Sequence, residues 1–195
     1  LNDFNLLEVI HSSITLDKKF ISLLNSVKEV LSWHDLLFLD ESYKKWIVYF
    51  LVLINQCDAE RTKEICRRFE LSPDFIKLFC VERIEADRCG LWLERNLPVS
   101  DSVLYRKLTG FRVELILYMM AATRLNAVKK SISHFFTELR RTTISLKGRD
   151  LKKMQLKPGP IYRQVLGAVL DAKLDGKLKT KNDEVDFARH FVETH

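Results

Sequence analysis

The chain has 195 residues, 47% hydrophobic and 30% charged, with a formal net charge of +6. That composition excludes a disordered chain and allows a sizeable core, in one large or two small domains. The longest apolar run, Trp46 to Ile54, has nine residues; a membrane-spanning helix needs about 20, so no membrane partner is expected. The opening LNDFNLLEVI has acidic residues and no basic flank, unlike a secretory leader. The chain also starts without an initiator methionine, which fits a piece of something longer.

Six glycines and four prolines are few interruptions, and apolar residues recur at three and four positions, which predicts an all-α fold. Leu16, Phe20, Leu23, Leu24, Val27 and Leu31 form a first stripe. Tyr43, Trp46, Ile47, Phe50, Leu53 and Ile54 form a wider one. Cys57, Cys66, Cys80 and Cys89 lack the two-to-four-residue gaps of zinc ligands and are expected to be buried free thiols in a reducing cytoplasm. In LSPDFIKLF, Ser72 is placed to cap a helix, with Pro73 first in it and Asp74 at its positive end. ERIEADR, Glu82 to Arg88, is expected to be a solvated helical face. Ser100–Asp101 repeats the start signal after Pro98, and Phe111 to Thr123 predicts a buried helix.

Charge then changes sign. Residues 1–128 hold 17 Lys+Arg against 18 Asp+Glu; residues 129–181 hold 14 against 4; residues 182–195 hold 1 against 4. A boundary is expected near Asn126, dividing a helical body, 1–125, from a smaller basic helical tail, 126–195. A segment so rich in cations points to a polyanionic partner or to a solvated basic face. Within it, SISHFFTELRRTT predicts a helix with Phe135, Phe136 and Leu139 inward. A short helix follows around Arg149–Met154, then the Pro-Gly-Pro turn at 158–160 and a helix from about Ile161 to Asp175. Gly176 suits the left-handed end of that helix, and Thr180 with Asp183 suits the start of a last one.

Pro158 and Pro160 restrict the turn, and Gly159 leaves room for another backbone. Free N–H groups at the following helix start would face a phosphate, with Lys157 and Arg163 flanking and Arg149, Lys152 and Lys153 just before. Tyr162 would either stack on a base or sugar or pack inward. Helix, glycine-bearing turn, helix is the order of helix-hairpin-helix modules, which grip nucleic-acid backbones without reading bases. The candidate RNA contacts are Arg140, Arg141, Lys147, Arg149, Lys152, Lys153, Lys157, Gly159, Arg163, Lys177 and Lys179.

The stretch from Phe135 to Arg189 resembles the tail of bacterial class II tRNA nucleotidyltransferases and poly(A) polymerases, the CCA- and A-adding enzymes and their larger fusions among them. The matching elements are Gly148, Asp150 and Leu151 for Gly-x-Asp-Leu, then Lys157 to Pro160 for Lys-Pro-Gly-Pro. Leu174 to Gly176 stand for Leu-Asp-Gly, and Thr180 to Arg189 for a Thr-led acidic helix. These elements agree in order and spacing over about 50 residues. More loosely, LLEVIHSSITLD resembles the passage from neck to body, with Ser12 where a proline is common. YKKWIVYFLVLI and RFELSPDFI resemble body helices.

The resemblance implies a parent that adds nucleotides to RNA 3′ ends, using ATP or CTP and magnesium held by a catalytic head. The carboxylates of that head and the nucleotide-selecting neck are not visible in the sequence. The chain is therefore expected to follow the neck, to lack catalytic and metal residues of its own, and to be inactive alone. Its expected partners are tRNA or another structured RNA, gripped by the backbone, and the parent's head and neck. Two rivals remain. One is a helical protein-interaction or oligomerisation module; the other is a metal hydrolase built on His34–Asp35 with His11, whose remaining histidines, His134, His190 and His195, are scattered.

Overall fold

A computed structural model describes residues 17–154, 156 and 159–194. The expectations placed on Leu1–Leu16, on Gln155, Lys157 and Pro158, and on His195 lie outside the described residues. The described residues are mainly helical, with no strand among them, so the fold is all-α. Among them no helix is long and apolar enough to cross a membrane.

The helices are α1 (Lys18–Asp35), α2 (Lys45–Leu53), α3 (Ala59–Arg68), α4 (Pro73–Lys77), α5 (Arg83–Asn96), α6 (Asp101–Leu108), α7 (Val113–Ala122), α8 (Asn126–Thr137), α9 (Gly148–Lys153), α10 (Pro160–Leu174) and α11 (Lys181–Thr194). A π-helical turn, Leu78–Glu82, joins α4 to α5, and a 3-10 turn, Leu139–Arg141, follows α8. Contacts divide the chain into two units. One comprises Leu1–Leu97 with Gly110–Ile132, the other Pro98–Thr109 with Ser133–His195. Residues 98–109 thus pack with the later part of the chain, ahead of the charge change at Asn126.

In the first unit, α7 is apolar apart from Glu114 and buries Val113 and every residue from Leu115 to Ala121. A helix without a polar face has to be enclosed, and α1, α2 and α5 enclose it. From α1 the stripe delivers Phe20, Val27 and Leu31 to the core, with Val30 and His34 beside them. The α2 stripe is rotated from its expected position. Ile47, Val48, Leu51 and Val52 are buried, while Trp46 remains 43% exposed. Because α2 is apolar on nearly every side, periodicity alone cannot select its inward face.

The ERIEADR segment departs from the solvated face expected of it. Glu85 and Arg88 are exposed, but Arg83 is buried. Its guanidinium donates to the carbonyls of Phe79 (3.2 Å) and Cys57 (3.0 Å) and to the Asp87 carboxylate (3.3 Å). Burial pushes the Asp87 carboxyl up, against the pull of Arg83. Carbonyls exposed at the π turn and the Cys57 loop need a donor, and Arg83 supplies it.

The second unit is built on Leu146, Leu151, Val165, Val169, Ala172, Leu178 and Ala188. Polar contacts attach α6 to it: Arg106 forms a bidentate pair with Asp171, its closest approach 2.6 Å, and the Ser102 N–H donates to Asp175 at 2.9 Å. The buried Glu184 carboxylate accepts the N–H groups of Ser145 (2.7 Å) and Leu146 (2.8 Å) and the Lys173 ammonium (2.6 Å). That triple acceptor fixes the chain leading into α9.

Candidate nucleic-acid interface

The local signals in the basic segment produce the expected elements. Gly148 opens α9, where Asp150 accepts the Lys147 N–H at 3.0 Å. The α10 helix ends in a Schellman turn: Lys177 N–H to Ala172 O (2.9 Å), Gly176 N–H to Lys173 O (3.0 Å), with Gly176 at φ +73°. Before α11, the Asp183 N–H donates to Thr180 Oγ1 (3.2 Å), and the Asp183 carboxylate accepts from Thr180 N (2.8 Å) and Lys179 N (2.9 Å). The Thr180 and Lys179 N–H groups hold the Asp183 carboxyl below its ordinary range.

Of the predicted contact residues, Arg141, Lys147, Arg149, Lys152, Lys153, Arg163, Lys177 and Lys179 are exposed. Arg149 and Lys153 gather round Asp150, and so does Lys181, 3.8 Å away. The Lys147 N–H and these cations hold the Asp150 carboxyl down. Sequence reasoning missed Lys181, since nothing local announces that the first residue of α11 meets α9. Lys153 and Asp150 also line a shallow groove with Met154, Val185 and Arg189. Lys177 lies 3.7 Å from Asp175.

Arg140 is placed differently. It is half-buried, with its guanidinium carbon 5.7 and 5.6 Å from the ring centroids of Phe135 and Phe136. Tyr162 packs inward. Its ring lies against Gly148, where an added Cβ would meet it at 3.7 Å, and its hydroxyl donates to Leu156 O at 3.0 Å. This ties the chain ahead of the Pro-Gly-Pro turn to α9. Gly159 is exposed in extended backbone, φ 167°, with nothing within 4 Å of a Cβ built on it. Neither strain nor crowding within the chain requires a glycine there. The row of free N–H groups at this helix start is shorter than the sequence suggests, because Pro160 has none and Tyr162 donates to Gly159 O at 3.1 Å.

The His34–Asp35 doublet is otherwise engaged. His34 is buried beside Tyr43, ring centroids 4.8 Å apart, while Asp35 accepts from Tyr43 (2.7 Å) and Lys45 (2.6 Å). Among the described residues, no three His, Cys, Asp or Glu side chains converge as a metal site would require. Cys57, Cys66 and Cys89 are buried as expected, whereas Cys80 is half-buried.

Comparison with solved structures defines the class. The Thermotoga maritima CCA-adding enzyme complexed with tRNA matches 98% of this chain and 46% of its own, with a TM-score of 0.77 at 17% identity. A CCA-adding enzyme in complex with ATP matches all of this chain and 45% of its own, at a TM-score of 0.70 and 18% identity. The fold is thus that of the helical part of CCA-adding enzymes. In sequence, the chain is 32% identical over 192 residues to the A-adding tRNA nucleotidyltransferase of Geobacter sulfurreducens, covering 96% of this chain. The chain therefore resembles the tRNA nucleotidyltransferase family over nearly its whole length, a match consistent with a C-terminal part of that family. It spans 22% of the Geobacter relative's length and under half of each solved enzyme's. No family model matches the sequence.

Proposed function

We propose that this chain positions tRNA, or another structured RNA, through sugar–phosphate contacts made by its second unit. The supporting observation is the set of exposed cations on well-anchored backbone. These are Lys147, Arg149, Lys152 and Lys153 at α9, Arg163 in the first turn of α10, and Lys177 and Lys179 ahead of α11. Arg141 joins them, as does Lys157, which lies outside the described residues. Gly159 offers the open side of the turn, and Arg140 positions the 3-10 turn from its seat on Phe135 and Phe136. In this reading residues 126–195 are the RNA-binding tail and 1–125 the helical body. The relatives' names point the same way, one being a tRNA nucleotidyltransferase and another complexed with tRNA.

The parent protein would add nucleotides to RNA 3′ ends in the cytoplasm, its head and neck providing for ATP or CTP and for magnesium. The part of this chain is to hold and orient the RNA, reading helical shape rather than sequence.

Titration of labelled tRNA into the chain at rising salt tests this. Neutralising roughly four to six phosphates gives a log–log slope of about −0.7 to −0.9 per contact. Lys157→Glu with Arg163→Glu should weaken binding and leave the circular dichroism unchanged. A flat salt dependence, or unchanged affinity of that variant at low salt, would refute the reading. A protein-interaction or oligomerisation role is favoured instead by the exposed rings of the first unit, Trp46 and Phe69, 43% and 47% exposed. That role predicts concentration-dependent association in sedimentation and no affinity for tRNA.

A further inference from the structure

A second concave feature is lined entirely by residues of the first unit, none of them on α9, α10 or α11. This cleft of about 770 Å³ is walled by α1 from Lys19 to Glu29, by the end of α2, and by the chain from Ala121 to Lys129. Its size falls in the range of about 300–1,000 Å³ typical of ligand sites. Three cations line it, Lys19, Arg124 and Lys129, against two carboxylates, Asp17 and Glu29. Asp17 is already committed, accepting the Phe20 N–H at 2.7 Å as the α1 cap.

Other polar groups fix the shape of the walls. Ser26 Oγ donates to Ala121 O at 2.9 Å, and Thr123 Oγ1 donates to Glu94 at 2.7 Å. Ser22 and Asn25 are exposed along the α1 side. Phe20, the one aromatic residue of the lining, is buried. The cleft therefore offers cations, hydroxyls and amides, but no ring on which a base could stack.

We propose that this cleft holds a short single-stranded run of RNA by its sugar–phosphate backbone, an inference that rests on the RNA-binding reading above. Cations answer phosphates, while hydroxyl and amide groups answer the ribose 2′-hydroxyl. Without a stacking platform the strand is held irrespective of base and with strong salt dependence. A duplex carries its phosphates on a convex cylinder and suits an open face such as that of α9. A cleft of about 770 Å³ has the size of a small-ligand site, which suits one strand and is too small for a duplex.

The test is fluorescence anisotropy on the 195-residue chain with two probes, a mixed-sequence single-stranded hexaribonucleotide and a whole tRNA. Arg124→Glu with Lys129→Glu should weaken the hexamer at least about tenfold. Asn25→Leu, which narrows the cleft and removes an amide without changing its charge or adding a ring, should weaken it as well. Unchanged hexamer affinity in both correctly folded variants overturns the proposal. So does displacement of the hexamer by equimolar ATP, which would assign the cleft to free nucleotide. Arg67→Glu with Arg95→Glu, exposed in the first unit but outside the cleft lining, should leave the hexamer bound; an equal loss there makes the binding a general charge effect and overturns the cleft. If Arg149→Glu with Lys153→Glu keeps full tRNA affinity while the cleft variants lose the hexamer, the tail reading fails and the cleft stands.

Discussion

Glu184→Ala tests how the basic segment is held. The Glu184 carboxylate is fully buried and accepts from two backbone N–H groups and the Lys173 ammonium, all at 2.6–2.8 Å. Removing it strands the Ser145 and Leu146 donors, each at a cost of about 1–3 kcal/mol. It also leaves the Lys173 ammonium without its anion, a smaller loss because that side chain reaches solvent. The two stranded donors therefore set the cost, and we expect about 2–6 kcal/mol in total. For a chain of this length that lowers Tm on the order of 10 °C. Urea unfolding gives the energy, and amide hydrogen exchange at Ser145 and Leu146 shows whether the loss is local. Lys173→Met leaves the buried Glu184 charge without its cation and should cost a comparable amount, about 3–5 kcal/mol, while both amides stay protected. A Glu184→Ala chain destabilised by under about 1 kcal/mol, with both amides still protected, would refute the reasoning.

The two glycines near α10 should separate cleanly. Gly176→Ala forces a Cβ into left-handed backbone (φ +73°) and should cost about 1 kcal/mol in thermal unfolding. Gly159→Ala should leave stability unchanged, since its backbone is extended and a Cβ there meets nothing within 4 Å; weaker tRNA binding by a stable Gly159→Ala chain would place the turn against RNA. Glu70, which follows α3 at φ +50°, is the converse case, and Glu70→Gly should raise stability by about 1 kcal/mol. The Asp183 carboxyl, held down by the Thr180 and Lys179 N–H groups, contributes stability at neutral pH. That contribution is present above the unfolded value of about 3.9 and disappears as pH falls through the lower folded value. NMR titration should accordingly place its midpoint below about 3.9, and a midpoint at or above that value refutes the cap. Burial pushes the Cys66 thiol up to about 12, so iodoacetamide at pH near neutral should spare it in the native chain and modify it once urea unfolds the protein.

Features set by neighbours three to five residues apart are legible in the amino-acid order. The Thr180–Asp183 pair caps α11, Gly176 closes α10, Pro73 sits first in α4, and the apolar Phe111–Thr123 stretch contains α7, buried at its centre. The periodicity of Phe20, Val27 and Leu31 likewise states which side of α1 faces inward. These depend on a helix's own geometry, which a short window of residues contains in full.

Partnerships over long separations are not legible in that way, because they depend on which faces meet. Arg83 has the sequence surroundings of a solvated charge, yet the Cys57 and Phe79 carbonyls enclose it. Glu184 reads as part of an acidic helix start, but it is the buried acceptor for residues 38 and 39 positions away. Arg140 has the same basic neighbours as the exposed cations, although two aromatic rings hold its guanidinium. Lys181 meets Arg149 and Lys153 around Asp150 only because α11 comes to α9. The amino-acid order determined the all-α class, the end of α10, the start of α11 and the basic stretch. Tertiary packing decided which charges reach water, since burial is a property of the surroundings and not of the residue.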